Sequence, residues 1–325
     1  MSGGYGVRRD TASRVVVIVA GPTASGKSAL ALALAEAFDG VVINADSMQV
    51  YDALRILTNR PDAALEARVP HRLYGVIPAD EACSAARWRS LALVEITAAH
   101  EAGCLPIVTG GTGLYIRALI EGLAPIPDIP AAVRRSTRER HASLGGPAFH
   151  AELAALDPEM AERLAPGDSQ RMIRAFEVFE ATGRSLAAWQ RVAPTAADAL
   201  APPFLTLTLA PPRAPLYAAC DGRFAAMIEA GALAEVSDLA ALDLDPGLPV
   251  MKALGVPELR RHLAAELSLE QAIAAAQQAT RNYAKRQATW LRHQLPGAVV
   301  YEAQYSEDLK QAAIEEIRRF LLTEH

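Results

Sequence analysis

Residues 21 to 28 read Gly21-Pro22-Thr23-Ala24-Ser25-Gly26-Lys27-Ser28, and this octet constrains the fold more than any other part of the chain. It satisfies G-x-x-x-x-G-K-[ST], the pattern of a phosphate-binding loop (P-loop), and it sits where that motif has to sit, between a strand and a helix. The stretch Arg14 to Ala20 is apolar after its first residue and reads as a buried strand. Ser28 to Phe38 is built almost wholly from alanine, leucine and glutamate and reads as a helix, which Asp39-Gly40 breaks. Successive amide N–H groups from Thr23 to Ser28 can form a nest at the helix N-terminus, where free donors and the positive dipole end attract phosphate oxygens. Lys27 adds a compact charge between phosphates, and the Ser28 hydroxyl is placed to hold Mg2+. The bland alternative, a chance glycine turn, requires strand, loop and helix to agree by accident. Such a nest reads phosphate oxygens alone, so the octet leaves the rest of the ligand open.

Three further segments extend this unit. Val41 to Asn44 is a second buried strand, Ala85 to Ala102 a helix, and Leu105 to Thr109 a third strand that runs into Gly110-Gly111-Thr112-Gly113. Apolar strands separated by helices predict a doubly wound parallel sheet, an α/β fold like that of the P-loop NTPases. Ligands of such sheets collect beyond the carboxyl ends of the strands. That rule selects the loop after Ala20, the Asp46-Ser47 turn and the Gly110 to Gly113 turn. From about Ala124 the texture changes: Pro125, Pro127 and Pro130 precede charged helical segments that continue to a turn-rich stretch at 193–203. The expected organisation is a first part of the core at 1–123, an inserted all-helical module at 124–203, and a second part of the core at 204–325. In the last part Phe204 to Leu209 reads as a strand returning to the sheet, and Leu216 to Leu242 and Ser268 to Leu295 as mostly helix.

Composition bounds the partners. With 32 Lys and Arg against 37 Asp and Glu, the net charge is -5, which speaks against a protein that coats nucleic acid over its whole surface and is compatible with a local basic groove. Cys83, Cys104 and Cys220 are widely spaced and form no Cys-x-x-Cys pair, so neither a disulfide framework nor a thiolate zinc site is indicated. Arg8, Arg9 and Arg14 precede an apolar run too short for a signal peptide. No apolar segment approaches the roughly 20 residues that span a bilayer. A cytoplasmic protein with no membrane association is expected.

A P-loop suggests a kinase or GTPase, and each makes demands this sequence does not meet. There is no Asn-Lys-x-Asp reader of guanine, and no apolar strand ends in Asp-Glu as a hydrolytic ATPase would need. The second strand ends instead in Asn44-Ala45-Asp46-Ser47-Met48-Gln49-Val50-Tyr51. Asp46 has two readings of equal standing, a turn or helix-cap carboxylate and a working group beside the phosphate loop.

At this point a family likeness emerges. The segments Gly21 to Ser28, Asp46 to Tyr51 and Gly110-Gly111-Thr112-Gly113-Leu114-Tyr115 together resemble the tRNA dimethylallyltransferases. Pro70-His71-Arg72-Leu73, the run from Asp168 through Gln170, Arg171, Met172, Ile173 and Arg174 to Val178, and Thr280-Arg281-Asn282-Tyr283-Ala284-Lys285-Arg286-Gln287 with Trp290-Leu291-Arg292 recur in the same order. The family transfers a dimethylallyl group from dimethylallyl diphosphate to N6 of the adenosine just 3′ of the anticodon, in tRNAs reading codons that start with U. The resemblance therefore implies that the loop holds a prenyl diphosphate, with Mg2+, and that the partner is a tRNA anticodon stem-loop; no obligatory protein partner is implied.

It also implies residue roles. Removing a proton from adenine N6 helps a poorly nucleophilic amine, and Asp46, an ordinary carboxylate, is the candidate base, with Thr23 and Lys27 beside it. The nest, Lys27 and an ion on Ser28 face the charge that grows on the departing diphosphate. The tRNA is expected against Asp46, Ser47, Met48, Gln49, Thr112, Arg134, Gln170 to Arg174, Arg281 and Lys285. Read without the likeness, these basic clusters, with Arg138, His141 and Arg292, are better explained by solvated helix faces. In Leu248-Pro249-Val250-Met251-Lys252-Ala253-Leu254-Gly255-Val256 the chain departs from the common family pattern, with Lys252 where many members have Arg and Val256 where many have Tyr. Lysine keeps the charge and loses the bidentate fork, so the resemblance supports a diphosphate-binding role for Lys252 less strongly than for the loop residues. His71, His100 and His262 lack metal-ligand spacing. The rival is a small-molecule or nucleotide kinase whose helical insertion is a phosphate-covering lid.

Overall fold

A computed structural model describes residues 15–193 and 202–323; Arg8, Arg9, Arg14 and most of the turn-rich stretch at 193–203 lie outside them. The described chain divides into two compact units, one reaching Ile120 and resuming at Pro202, the other running from Glu121 to the edge of the description at Ala193.

The first unit is built on six parallel strands: β1 (Val16–Ala20), β2 (Gly40–Asn44), β3 (His71–Arg72), β4 (Leu105–Gly110), β5 (Phe204–Leu209) and β6 (Val299–Tyr301), in the order β3-β2-β4-β1-β5-β6. β1 is buried along its whole length. Alternate residues of a strand face opposite sides, so Val16 and Ile18 enter one apolar layer while Val17 and Val19 enter the other. Burial on both faces is why β1 reads as a continuous apolar run rather than an alternating one.

Helices α1 (Lys27–Phe38), α2 (Ala63–Arg68), α3 (Ala85–Glu101) and α4 (Gly113–Glu121) follow the first four strands. α1 buries Leu30 and Leu34 against the layer that contains Val17, and Trp88 and Ile96 of α3 enter the opposite layer. Asp39 ends α1 in a left-handed conformation, φ 51°, so the chain reverses at the Asp-Gly breaker.

The second unit contains α5 (Ala131–Leu156), α6 (Pro158–Arg163), α7 (Ser169–Thr182) and α8 (Leu186–Gln190). α5 is interrupted at Gly145, φ 72°, just ahead of Pro147. The unit has its own core, in which Phe149, Leu153, Met172, Ala175 and Val178 are buried together.

The first unit resumes with β5 and continues through α9 (Arg213–Glu229), α10 (Ala232–Ala241), α11 (Val256–Leu263), α12 (Leu269–Gln294) and α13 (Glu307–Thr323). α12 starts at a capping box in which Ser268 and Gln271 satisfy each other's backbone donors. β3, β6 and α13 were not expected from the sequence; β3 and β6 are short edge strands of two and three residues, below the length at which periodicity is readable. No helix of the described residues is long and apolar enough to cross a membrane, and Cys83, Cys104 and Cys220 are free thiols.

Ile18 is wholly buried in the central strand whereas Val94 on α3 is 65% exposed. Ile18→Ala is expected to lower the unfolding free energy by about 2–5 kcal/mol and Val94→Ala to change it by less than about 0.5 kcal/mol in urea titrations.

Candidate active site

β4 lies between β2 and β1, so three loops leave neighbouring strand ends at one edge of the sheet: residues 21–26 after β1, 45–48 after β2, and 111–112 after β4. In the phosphate loop Ala24 and Gly26 adopt left-handed φ values of 64° and 89°. A Cβ at Gly26 would lie 2.5 Å from the Tyr305 Cβ, and the Tyr305 N–H donates to the Ser25 carbonyl at 3.3 Å. Only glycine meets both demands.

Lys27 is buried, and its Nζ donates to the Pro22 carbonyl at 3.3 Å. Burial pushes its pKa down to about 8; Asp46 opposes the shift by favouring the charged form, and Arg223 adds to it. The ammonium and the carboxylate thus share one electrostatic environment. Gly21 and Pro22 are buried, Ser25 is buried with its hydroxyl unpartnered among the described residues, and Ser28 is exposed in the first turn of α1. The six-amide nest suggested by the sequence needs correcting: the Thr23 N–H donates to Gln287 Oε1 at 2.8 Å, and the Ser25 N–H donates to the Pro22 carbonyl at 3.2 Å. Backbone donors tied inside the protein are not free to face phosphate.

Asp46 is held by Asn44, whose side chain is fully buried. Asn44 Oδ1 accepts from the Asp46 N–H at 2.8 Å, and Asn44 Nδ2 donates to the carbonyls of Asp46 and Leu73, both at 3.0 Å. Asp46 Oδ1 accepts from the Met48 N–H at 2.9 Å, so one carboxylate oxygen fixes the turn. The same residue also lines a cavity of about 280 Å³. Asp46 thus caps its turn and faces the cavity at once.

Thr23, Asp46 and Ser47 share the cavity wall with Arg223, Lys252, Tyr283 and Arg286, and with the apolar side chains of Met48, Leu57, Phe224, Met227 and Leu254. Arg223 donates to the Thr23 hydroxyl. Among the lining residues three cations meet one carboxylate, an excess of positive charge that suits a diphosphate. Burial together with Asp46 holds the Tyr283 pKa above the ordinary tyrosine range.

Sequence reasoning had no role for Arg223, Tyr283 or Gln287. The available signal was Arg223 itself, an arginine among Leu216, Cys220, Phe224 and Met227, which form the buried stripe of α9.

Of the residues expected to meet tRNA, Asp46, Ser47 and Met48 line the cavity. Thr112 Oγ1 accepts from the Ser47 N–H at 2.9 Å and donates to the Ser47 hydroxyl at 3.2 Å. The Gln49 amide is occupied by the carbonyls of Thr58 and Asn59, at 2.8 and 3.0 Å. Arg281 pairs with Asp221 at 2.6 Å, and Lys285 is exposed on the same helix. In the second unit Arg134, Gln170 and Arg171 are exposed, Arg171 lies 3.1 Å from Asp168, and Arg174 lies 3.6 Å from Glu177. Met172 is fully buried in that unit's core and Ile173 packs against it, which leaves the Met172 side chain no surface to offer an RNA. Each of His71, His100 and His262 bonds a backbone carbonyl through a ring nitrogen.

Fold and site together define a P-loop α/β protein whose strand-end cavity joins cationic, carboxylate and apolar groups. A family model described as IPP transferase matches residues 49–294. The tRNA dimethylallyltransferase of Rhodospirillum centenum is 63% identical over 290 residues, 88% of this chain and 91% of its own. That of Paramagnetospirillum magneticum is 56% identical over 311 residues, 96% and 98% of the two chains. The crystal structure of the tRNA isopentenylpyrophosphate transferase from Bacillus halodurans matches with a TM-score of 0.67 at 31% identity, covering 96% of both chains. A eukaryotic dimethylallyltransferase solved acting on tRNA matches at 0.80 and 28% identity, covering 95% of this chain and 80% of its own. This chain belongs to the IPP transferase family.

A lysine whose folded-state pKa lies below its unfolded value releases its proton first in the folded state, so stability rises with pH between the two values. For Lys27 the window runs from about 8 to the ordinary 10.5. Urea melts are expected to show Lys27→Met more stable than wild type at pH 7.5, by an amount on the order of 3 kcal/mol or less, with the gap closing by pH 10. A gap that does not change with pH would reject the buried-charge explanation.

Proposed function

We propose that this chain transfers a dimethylallyl group from dimethylallyl diphosphate to N6 of the adenosine 3′-adjacent to the anticodon in tRNAs reading codons that start with U, giving N6-isopentenyladenosine and diphosphate. The observation that carries the reading is the cavity wall, where Arg223 and Thr23 adjoin Asp46 and where Phe224, Met227 and Leu254 offer apolar surface. A diphosphate suits the cations, a five-carbon chain the apolar surface, and an amine the carboxylate. The names of the relatives support the same reaction, and the kinase reading of the loop is not favoured. A cytosolic location, where tRNA is modified, goes with this reading.

The chemistry follows from charge. The N6 lone pair forms a bond to C1 of the dimethylallyl group as the C1–O bond breaks, and that bond's electron pair leaves with the diphosphate. Negative charge therefore grows on the bridging oxygen, and preorganised cations lower the barrier because they are aimed at charge that develops during reaction. Lys27, Arg223 and Lys252 serve that purpose, with Thr23 oriented by Arg223. The N6 proton passes to Asp46, whose position is set by Asn44. Mg2+ belongs to the same proposal: it takes hard oxygen ligands and is commonly held by one or two protein oxygens plus substrate phosphates. The Ser28 hydroxyl offers one such oxygen. The ion would neutralise charge on the leaving diphosphate.

The direct test incubates the protein with an unmodified anticodon stem-loop and either dimethylallyl diphosphate or ATP, then weighs the RNA. A gain of one prenyl unit from dimethylallyl diphosphate is expected; phosphate leaving ATP for a small acceptor with the RNA unchanged would decide for a kinase. Asp46→Ala is expected to lower kcat by about 100- to 10,000-fold while donor binding by calorimetry changes far less. Lys27→Ala is expected to weaken donor binding and rate together.

Salt dependence distinguishes the surface cations. Lys285→Ala is expected to reduce the slope of log affinity for the stem-loop against log salt by about one. Arg281→Ala, which removes a charge already paired with Asp221, should reduce it by less.

A further inference from the structure

We propose that Gln287 is a positioning residue for this transfer, a carboxamide strut that ties the phosphate loop to the turn after β4 and so holds Thr23 and Arg223 in register with Asp46. The inference rests on the function proposed above and deepens it. Gln287 lies on α12 and is 5% exposed. Its Oε1 accepts from the Thr23 N–H at 2.8 Å and its Nε2 donates to the Gly111 carbonyl at 2.8 Å. A backbone N–H can only donate and a backbone carbonyl can only accept, so these two partners leave the amide a single orientation. Both loops are thereby locked by one planar group.

The consequences spread from its two ends. At the phosphate loop, the same residue whose N–H is fixed, Thr23, presents its hydroxyl to Arg223. At the turn, Gly111 precedes Thr112, whose N–H donates to the Ala45 carbonyl at 3.3 Å and whose Oγ1 accepts from the Ser47 N–H. Ala45 and Ser47 flank Asp46. Tyr283, one turn earlier on α12, lines the cavity together with Thr23 and Asp46. Gly111 is required by this contact, because a Cβ there would collide with Gln287 Nε2. The strut touches none of the reacting atoms; it acts by fixing the spacing between the groups that hold the leaving diphosphate and the group that takes the proton, and small misplacements of such groups cost rate rather than affinity.

The experiment measures kcat and both KM values for wild type, Gln287→Met, Gln287→Glu and Gly111→Ala with dimethylallyl diphosphate and an anticodon stem-loop, alongside thermal melts. Loss of about 10- to 100-fold in kcat, with smaller changes in either KM, is expected for Gln287→Met and Gly111→Ala. Gln287→Glu separates positioning from bulk stability: its ionised form has no donor for the Gly111 carbonyl, whereas its protonated form is isosteric with the amide and restores both bonds. Burial raises the pKa of such a carboxyl, so the ratio of its kcat to that of wild type should climb as pH falls from about 8 to about 6. A ratio that stays flat with pH, or variants that match wild-type kcat, would overturn the strut. Losses confined to melting temperature would do so as well. Should the Met or Ala variant fail to fold, the pH ratio of the Glu variant still decides. Wild-type protein that transfers no prenyl group would sink the proposed function first, and that outcome is read before any variant is compared.

Discussion

Charge burial is the constraint around which this molecule is arranged. Lys27 and Arg223 are both drawn out of water, and burial lowers the pKa of each, while Asp46 is the carboxylate that favours their charged forms. One carboxylate against several cations is an unbalanced arrangement in a medium of low dielectric. The diphosphate proposed above would supply negative charge there, with a geometry that point charges and backbone amides can meet. Under the function proposed above, such preorganised groups lose little by reorganising when charge develops.

The sheet makes that arrangement affordable. Six parallel strands bring the ends of β1, β2 and β4 side by side, so residues from three loops converge without any one loop having to be long. Two apolar layers hold the strands from either face, with Val16 and Ile18 on one side and Val17 and Val19 on the other. Rigid strands below allow the groups above them to be aimed. α9 and α12 complete the cavity, contributing Arg223 and Phe224 from one helix and Tyr283 and Arg286 from the other. The cavity wall is consequently half loop and half helix, which explains why it combines cations with apolar side chains.

The mixed wall also separates this site from a nucleotide kinase that shares its loop. A nest and a lysine recognise phosphate in either case. What differs is the neighbour: apolar Phe224, Met227 and Leu254 share a cavity with Asp46 and the cations, and that company suits a prenyl chain and an amine acceptor. Asn44, Thr112 and Gln287 hold the polar members by hydrogen bonds whose directions are forced by backbone partners.

The sequence alone determined the strand, loop and helix around Gly21 to Ser28, the places of the central strands along the chain, the change of texture near Ala124 and the presence of Asp46 at a strand end. These features are local: apolar runs, helix-forming composition and left-handed glycine positions are written within a dozen residues. Residue roles at the RNA side came from family likeness, and the burial of Met172 shows why position in a motif does not settle which way a side chain faces. Only the tertiary structure decided that Arg223 meets Thr23, 200 residues earlier, and that Gln287 meets it from 264 residues away. Such contacts depend on how α9 and α12 pack across the sheet edge, and packing over those separations leaves no periodic or compositional trace in the chain.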